Sequence, residues 1–107
     1  MLERDFQAKL IPKIRHRLPG CLILKNDTDY LQGIPDLLVL YGPCWGMLEV
    51  KISETAPFQP NQEYYLEMAD GMSFAAVIYP SNEEEVLSAL QLALAPTRRH
   101  ARVPRSQ

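Results

Sequence analysis

The sequence predicts an α/β domain in which helices flank a small mixed sheet. Four short apolar runs have the length and composition of strands, whereas other segments repeat their apolar residues with helical spacing. These segments follow the order helix, three strands, helix, strand, helix. A strand–helix–strand unit that follows a run of adjacent strands is typical of a mixed sheet with helices on both faces. The chain of 107 residues is long enough for one domain of this kind.

Residues 2–18 form the predicted first helix, because apolar residues recur at every fourth position: Leu2, Phe6, Leu10, Ile14 and Leu18. Pro12 conflicts with this pattern, since proline removes a backbone donor and clashes with the preceding turn. It predicts a kink near Ala8 or a break into two helices. Pro19 and Gly20 end the helix.

At 100° per residue, Glu3 falls on the apolar stripe of this helix. A carboxylate in that position is costly unless it is paired or contacts a metal ion. The other explanation is that the helix dipole favours an acidic residue in the first turn. The residues alone leave both explanations open.

Three strands are predicted next: a short apolar strand over 21–24, a buried strand over Leu37–Tyr41 and a third strand over Met47–Ile52. Gly42 and Pro43 interrupt the apolar residues between the last two, as the residues of a turn do. We therefore expect these two strands to form a hairpin.

Charged residues are predicted to meet at one end of this hairpin. Asp36 directly precedes the second strand, and Glu49 and Lys51 share a face of the third because strand side chains alternate. Carboxylates are ligands that Mg²⁺ prefers, and a lysine beside them can orient a water or neutralise a phosphate. An ordinary Glu–Lys pair on a solvated strand gives the same pattern. Three charges on an apolar hairpin favour the functional interpretation.

The second half of the chain supplies the remaining elements. The sequence predicts a helix from Pro60–Asn61 to Asp70–Gly71, a buried strand over Ser73–Tyr79 and a last helix capped by Ser81 or Asn82. Apolar residues of these two helices exceed what one small sheet needs: Tyr64, Tyr65, Met68, Leu87, Leu90 and Leu94. Such a surplus predicts a homodimer.

The charges are unevenly distributed along a chain whose net charge is −2. Residues 1–25 carry six Lys or Arg against two acids, residues 26–95 one Lys against eleven acids, and residues 96–107 four Arg and no acid. We therefore expect a domain over 1–95 and a basic tail over 96–107. The basic blocks predict contacts to a nucleic-acid backbone from Lys9, Lys13, Arg17, Lys25, Arg98 and Arg99. A scatter of surface charge with a basic tail is the alternative.

These residues resemble a known nuclease signature. Pro35-Asp36, a gap of twelve residues and then Glu49-Val50-Lys51 resemble the PD-(D/E)xK motif. Glu3 and Phe6 in the first helix, Gly33 to Asp36, and Pro60-Asn61-Gln62 at a helix start are similar to the VRR-NUC branch, in particular to its small stand-alone members in bacteriophages. The match spans about residues 3–79, and its specificity lies in the ordered set rather than in any single motif.

The resemblance implies a restriction-endonuclease-like αβββαβ core and a Mg²⁺- or Mn²⁺-dependent DNA endonuclease. It implies that Asp36, Glu49 and the carbonyl of Val50 bind the metal, with Glu3 acting directly or through water. Lys51 and Gln62 would be catalytic, together with Glu3. The implied substrate is branched DNA, such as a Holliday junction, cut by a homodimer. A restriction-like or exonucleolytic enzyme, or a non-catalytic nucleic-acid-binding subunit, are the alternatives.

Cysteine usage and hydropathy give the expected compartment. Cys21 and Cys44 lack the CxxC spacing of a zinc site and predict free thiols in a reducing environment. The chain has neither a signal pattern nor a run of eighteen apolar residues. We expect a soluble, cytoplasmic protein with no membrane contact and no organic cofactor.

Overall fold

The computed structural model describes residues 1–95, so the predicted tail with Arg98 and Arg99 lies outside the described residues. The elements are α1 (Glu3–Arg17), β1 (Leu22–Lys25), β2 (Leu37–Tyr41), β3 (Cys44–Val50), α2 (Gln62–Met72), β4 (Phe74–Ile78), a short 3-10 turn (Pro80–Asn82) and α3 (Glu83–Ala93). The predicted α/β class and the predicted order of elements are confirmed.

The four strands form one mixed sheet in the order β1-β2-β3-β4. β1, β2 and β3 are antiparallel neighbours, whereas β4 runs parallel to β3. Antiparallel neighbours can be joined by short turns, but a parallel neighbour requires a crossover, which α2 provides. The predicted mixed sheet is therefore confirmed.

The β2–β3 hairpin turns on two residues only. Tyr41 pairs with Cys44, and Gly42 between them has a φ of +57°. The ring of Pro43 excludes a positive φ at the second position, so the turn belongs to the II′ class, which has glycine first. Because the turn is this short, β3 begins at Cys44 and not at Met47 as expected.

α1 continues without a break through Pro12, so the predicted division into two helices is wrong. Pro12 and Ala8 both lie on the exposed side of the helix, where water can satisfy the carbonyl that proline leaves without a donor. On the opposite side, Phe6, Leu10 and Ile14 are buried in the core. This packing stabilises the helix against the cost of its proline.

α1 and α3 cover one face of the sheet and form the core with it. Residues from both helices join residues of β2, β3 and β4 in a single apolar cluster: Phe6, Leu10, Ile14, Leu18, Leu37, Val39, Leu48, Val50, Ile78, Val86, Leu87, Leu90 and Leu94. The leucines of α3 therefore complete the core of the single chain. These leucines are therefore not surplus apolar surface, and that part of the dimer prediction is wrong.

α2 lies on the opposite face, against β3 and β4, and leaves β1 and β2 largely uncovered. Leu22 and Leu24 of β1 are 56% and 41% exposed. α2 begins at Gln62 and continues through Gly71 to Met72, so both expected ends were wrong by one or two residues. Gly71 costs an exposed helix only about 1 kcal/mol, too little to end it there.

Asn82 occupies the predicted N-cap position of the last helix. Asn82 precedes α3, but its side chain makes no hydrogen bond to that helix. It accepts from the backbone N–H of Tyr79 and donates to the carbonyl of Val77, which fixes the exit from β4. Within residues 1–95, no helix has the length and apolar character needed to cross a membrane.

Candidate functional site

The site lies at the end of the β2–β3 hairpin that is remote from the turn. Leu37 pairs with Leu48, and the next pair along the hairpin brings Asp36 beside Glu49. The backbone N–H of Val50 donates to Oδ2 of Asp36 over 2.8 Å. The predicted meeting of Asp36 and Glu49 is therefore what the structure shows.

The loop before Asp36 is held in place on two sides. Asn26, which follows β1, donates its backbone N–H to the carbonyl of Asp36 and its side-chain amide to the carbonyl of Pro35, each over 2.8 Å. Gly33 has a φ of +95°, and a Cβ added there would lie 2.6 Å from the backbone carbon of Asn61. Only glycine fits that position, so the loop lies directly against the residue that precedes α2.

Glu49 is a buried acid, with 2% of its surface exposed. Burial and the charge of Asp36 raise the pKa of Glu49 to about 8, although Lys51 lowers it. Oε2 accepts from Nε2 of Gln62 over 3.1 Å, whereas Oε1 is buried and finds no hydrogen-bond partner among residues 1–95. Such a carboxylate needs a proton or a cation beside it.

Lys51 is equally sheltered, with 6% of its surface exposed. Its backbone N–H donates to the carbonyl of Ile78, which continues the parallel ladder and keeps the side chain on the face of Glu49. Nζ donates to the carbonyl of Pro57 over 3.0 Å and lies 3.9 Å from Oε2 of Glu49. It also lies 5.5 Å from the centroid of the Phe58 ring, within the range of a cation–π contact.

Gln62, the first residue of α2, joins the acid to the lysine. Its Oε1 accepts from Nζ of Lys51 over 2.8 Å and from the backbone N–H of Gln59 over 2.7 Å. Its Nε2 donates to Glu49, so one amide fixes the positions of both charged groups. Gln62 is therefore tied into the site by its side chain and is not a freely solvated residue of the first turn of α2.

Glu3 is exposed at the start of α1, so the expected position on the buried apolar stripe is wrong. Partial desolvation and the charge of Asp36 raise its pKa, and Lys51 lowers it. Its charge in turn contributes to the raised pKa of Glu49. Glu3 therefore acts on the site through its charge.

The donor set fits a hard divalent cation held by few protein ligands. Across residues 1–95, no three side chains from His, Cys, Asp and Glu are arranged to hold a metal ion together. Mg²⁺ commonly binds through one or two carboxylates and keeps several waters. Asp36 and Glu49, with the buried Oε1 of Glu49 lacking a partner, meet that requirement.

The predicted backbone-binding residues divide into two groups. Lys13 pairs with Glu83 over 2.7 Å and Arg17 with Glu84, so both tie α1 to α3. At about 1.5 Å per residue, these two lie roughly 15 and 21 Å along α1 from Glu3. Lys25, in contrast, pairs with Leu37 at the end of β1, so its side chain is on the face of Leu37 and not on the face of Glu49. Lys9 is exposed on α1.

Several contributors to the site had not been recognised in the sequence: Asn26, Pro57, Phe58 and Gln59. Three of them belong to the loop between β3 and α2, where two prolines near a helix start were the available signal. Asn26 directly follows the predicted first strand, but its contact with Asp36 depends on how β1 pairs with β2 and gave no signal in the sequence.

No family model, curated protein or solved structure matches this chain. A function must therefore be inferred from the geometry of the site and from the resemblance of its motifs. The site combines the adjacent carboxylates of Asp36 and Glu49 with the sheltered ammonium group of Lys51. The amide of Gln62 holds Glu49 and Lys51 in place.

Proposed function

We propose that the protein is a Mg²⁺- or Mn²⁺-dependent DNA endonuclease. The observation that carries the proposal is the linkage of Glu49, Lys51 and Gln62 beside Asp36. Buried ion pairs are rarely a source of stability, because desolvation offsets much of their attraction. A fold that retains such a group, with one acid at a strongly raised pKa, supports a functional role for it.

Asp36, Glu49 and the carbonyl of Val50 would hold the cation, which when bound polarises a phosphate and lowers the pKa of a coordinated water. Lys51 places a positive charge beside this position and neutralises charge that develops on the phosphate. Its contacts with Gln62 and with the carbonyl of Pro57 fix the ammonium before substrate arrives, which removes an ordering cost from the reaction.

The substrate would be branched DNA such as a Holliday junction, as the resemblance to the VRR-NUC branch implies. Lys25, exposed at the end of β1, and Lys9, exposed on α1, would contact the DNA backbone. Arg98 and Arg99, outside the described residues, are proposed as further contacts. Lys13 and Arg17 would take part only after leaving their partners on α3. Binding of this kind weakens as salt increases.

A homodimer would carry two sites to the two strands of a junction. The surface that supports it is the uncovered part of the sheet together with the adjoining part of α2, where Leu22, Leu24 and Met68 are between 39% and 56% exposed. A two-fold arrangement makes one such patch contact its copy.

Cys21 and Cys44 are free thiols, which fits a reducing compartment such as the cytoplasm.

Cleavage of matched DNA substrates tests the proposal. A four-way junction, a flap and a linear duplex of the same sequence are incubated with Mg²⁺, Mn²⁺ or EDTA. We expect cleavage of the junction in either metal and none in EDTA. Cutting of linear duplex alone would favour the restriction-like or exonucleolytic alternative, and binding without cleavage of any substrate would favour a non-catalytic subunit.

A further inference from the structure

An open pocket of about 480 Å³ adjoins the site on the side of α2. It is lined by Phe58, Gln59, Pro60, Asn61, Glu63 and Tyr64. Two of these residues also contact the site, since Gln59 donates to Gln62 and the ring of Phe58 lies beside the ammonium of Lys51. The pocket is therefore directly adjacent to Gln62 and Lys51 of the candidate site.

Two aromatic rings give the pocket its character. Phe58 is 39% exposed and Tyr64 is 59% exposed, a large aromatic surface for two neighbouring side chains. The ring of Tyr64 is held edge-to-face by Tyr65, with centroids 5.0 Å apart and planes at 73°. This contact leaves the ring of Tyr64 oriented before any ligand binds.

The polar lining selects against a phosphate. Among the described residues that line the pocket there is no lysine or arginine, and Glu63 adds a negative charge. A phosphate would find no cationic side chain in this lining, whereas a neutral ring that carries an amino group can donate to a carboxylate. The side chains of Gln59 and Asn61 add amide donors and acceptors of the kind that recognise base edges.

We propose that this pocket binds one unpaired nucleobase next to the scissile phosphate. The base stacks on Tyr64 and Phe58, and its exocyclic amino group donates to Glu63. A paired base cannot enter, because its ring is stacked in the duplex and its amino group is engaged. The inference rests on the proposed nuclease function for its setting. It implies that a fully paired junction must open one base pair at the branch, whereas a flap already offers an unpaired nucleotide there.

Binding of single-stranded DNA in EDTA tests the stacking. Fluorescence anisotropy compares a short oligonucleotide with one of the same length whose central residues are abasic, for the natural protein and for Tyr64→Ala. The natural protein should prefer the oligonucleotide with bases by about tenfold, the effect of stacking one base. Tyr64→Ala should lose that preference, and Tyr64→Phe, which keeps the ring, should retain it.

The matched control is a substitution elsewhere on α2. Met72→Ala removes an exposed apolar side chain of α2 that does not line the pocket, and it should leave the preference unchanged. Phe58 is not substituted, because its ring also contacts Lys51. An undiminished preference in Tyr64→Ala would overturn the proposal, as would an equal loss in Met72→Ala.

A second comparison tests the role of Glu63. Oligonucleotides of deoxycytidine and deoxyuridine differ in the exocyclic group at position 4, which is an amino group only in cytosine. The natural protein should bind the cytosine oligonucleotide several-fold more tightly, and Glu63→Ala should bind both equally. A cytosine preference that survives in Glu63→Ala would refute the carboxylate contact.

These measurements also separate the pocket from the nuclease proposal. No step requires cleavage, because EDTA is present throughout. Cleavage that fails with every substrate would reject the nuclease while a base preference that depends on Tyr64 still supports the pocket. Cleavage without any base preference would support the nuclease and reject the pocket.

Discussion

The two faces of the sheet differ in what covers them and in what they carry. On the face beneath α1 and α3, Leu37, Val39, Leu48 and Val50 are completely buried in an apolar core. On the other face, Leu38 and Leu40 are only half-buried, and Glu49 and Lys51 are buried there. Neighbouring residues of one strand thus lie in different environments, because alternation places Leu48 in the core and Glu49 at the candidate site.

Asp36→Asn should produce the largest effect, a loss of cleavage of about 10²- to 10³-fold or more. The amide keeps an oxygen that can accept from the N–H of Val50, so the fold and DNA binding should be preserved. Cleavage rates, circular dichroism and DNA affinity measure the three quantities. Asp5→Asn, an exposed acid on α1, is the matched control, and full activity of Asp36→Asn would reject the metal site.

Leu48→Ala should lower stability and leave cleavage almost unchanged, the reverse of Asp36→Asn. Leu48 is completely buried on the core face, directly beside Glu49 in the chain. Its truncation should lower the free energy of unfolding by about 2–5 kcal/mol through lost burial and a cavity. Denaturant unfolding measures this, and cleavage per folded molecule should stay within a few-fold. A large loss of activity in protein that is still folded would show that the two faces are not separable.

The pH dependence of stability should come from the charged face. With its pKa raised to about 8, Glu49 keeps a proton in the folded protein that the unfolded chain releases near its ordinary pKa of 4.5. The stability of the metal-free protein should therefore fall as pH rises from about 5 to about 8. Thermal melts in EDTA across this range measure the slope.

Two additions identify the source of that slope. Glu49→Gln should flatten it, whereas Glu54→Gln, at an exposed acid of the following loop, should not. Mg²⁺ should raise the melting temperature most at the upper end of the range, where the proton no longer competes with it. A slope that Glu49→Gln leaves unchanged would assign the effect to other groups.

The smallest effect on the fold should come from the uncovered part of the sheet. Leu22→Lys combined with Leu24→Lys should convert a dimer into a monomer near 12.2 kDa, with little change in the stability of each subunit. Sedimentation of the natural protein and the variant measures the mass. Leu92→Lys, at a site 80% exposed on α3, is the control. A natural protein that sediments as a monomer would contradict the dimer.

The parts of the structure that were predictable from the sequence are those that depend on local periodicity. Alternation along β3 was sufficient to put Glu49 and Lys51 on one face, and the hairpin was sufficient to bring Asp36 to them. The contacts of Gln62 were not predictable in this way, since they depend on where the crossover sets α2 over the sheet. Gln62 entered the predicted site through the resemblance alone.

Burial was harder to predict than secondary structure. The leucines of α3 gave the same apolar stripe whether they faced the sheet or a second subunit, and only the packing of α1 beside α3 decides between them. Pro12 was misleading for a related reason. Local propensity opposes the helix there, but the tertiary contacts of Phe6, Leu10 and Ile14 outweigh it.

The position of Gln62 on the crossover helix determines when the site is completed during the folding of a newly made chain. The β2–β3 hairpin is local and needs nothing beyond Val50, so it can bring Asp36 and Glu49 together early. Gln62, in contrast, reaches Glu49 and Lys51 only after α2 has carried the chain across to β4. We expect a partly synthesised chain to hold two carboxylates without a fixed ammonium group. Under the proposed nuclease function, cleavage would therefore require the completed topology of the domain.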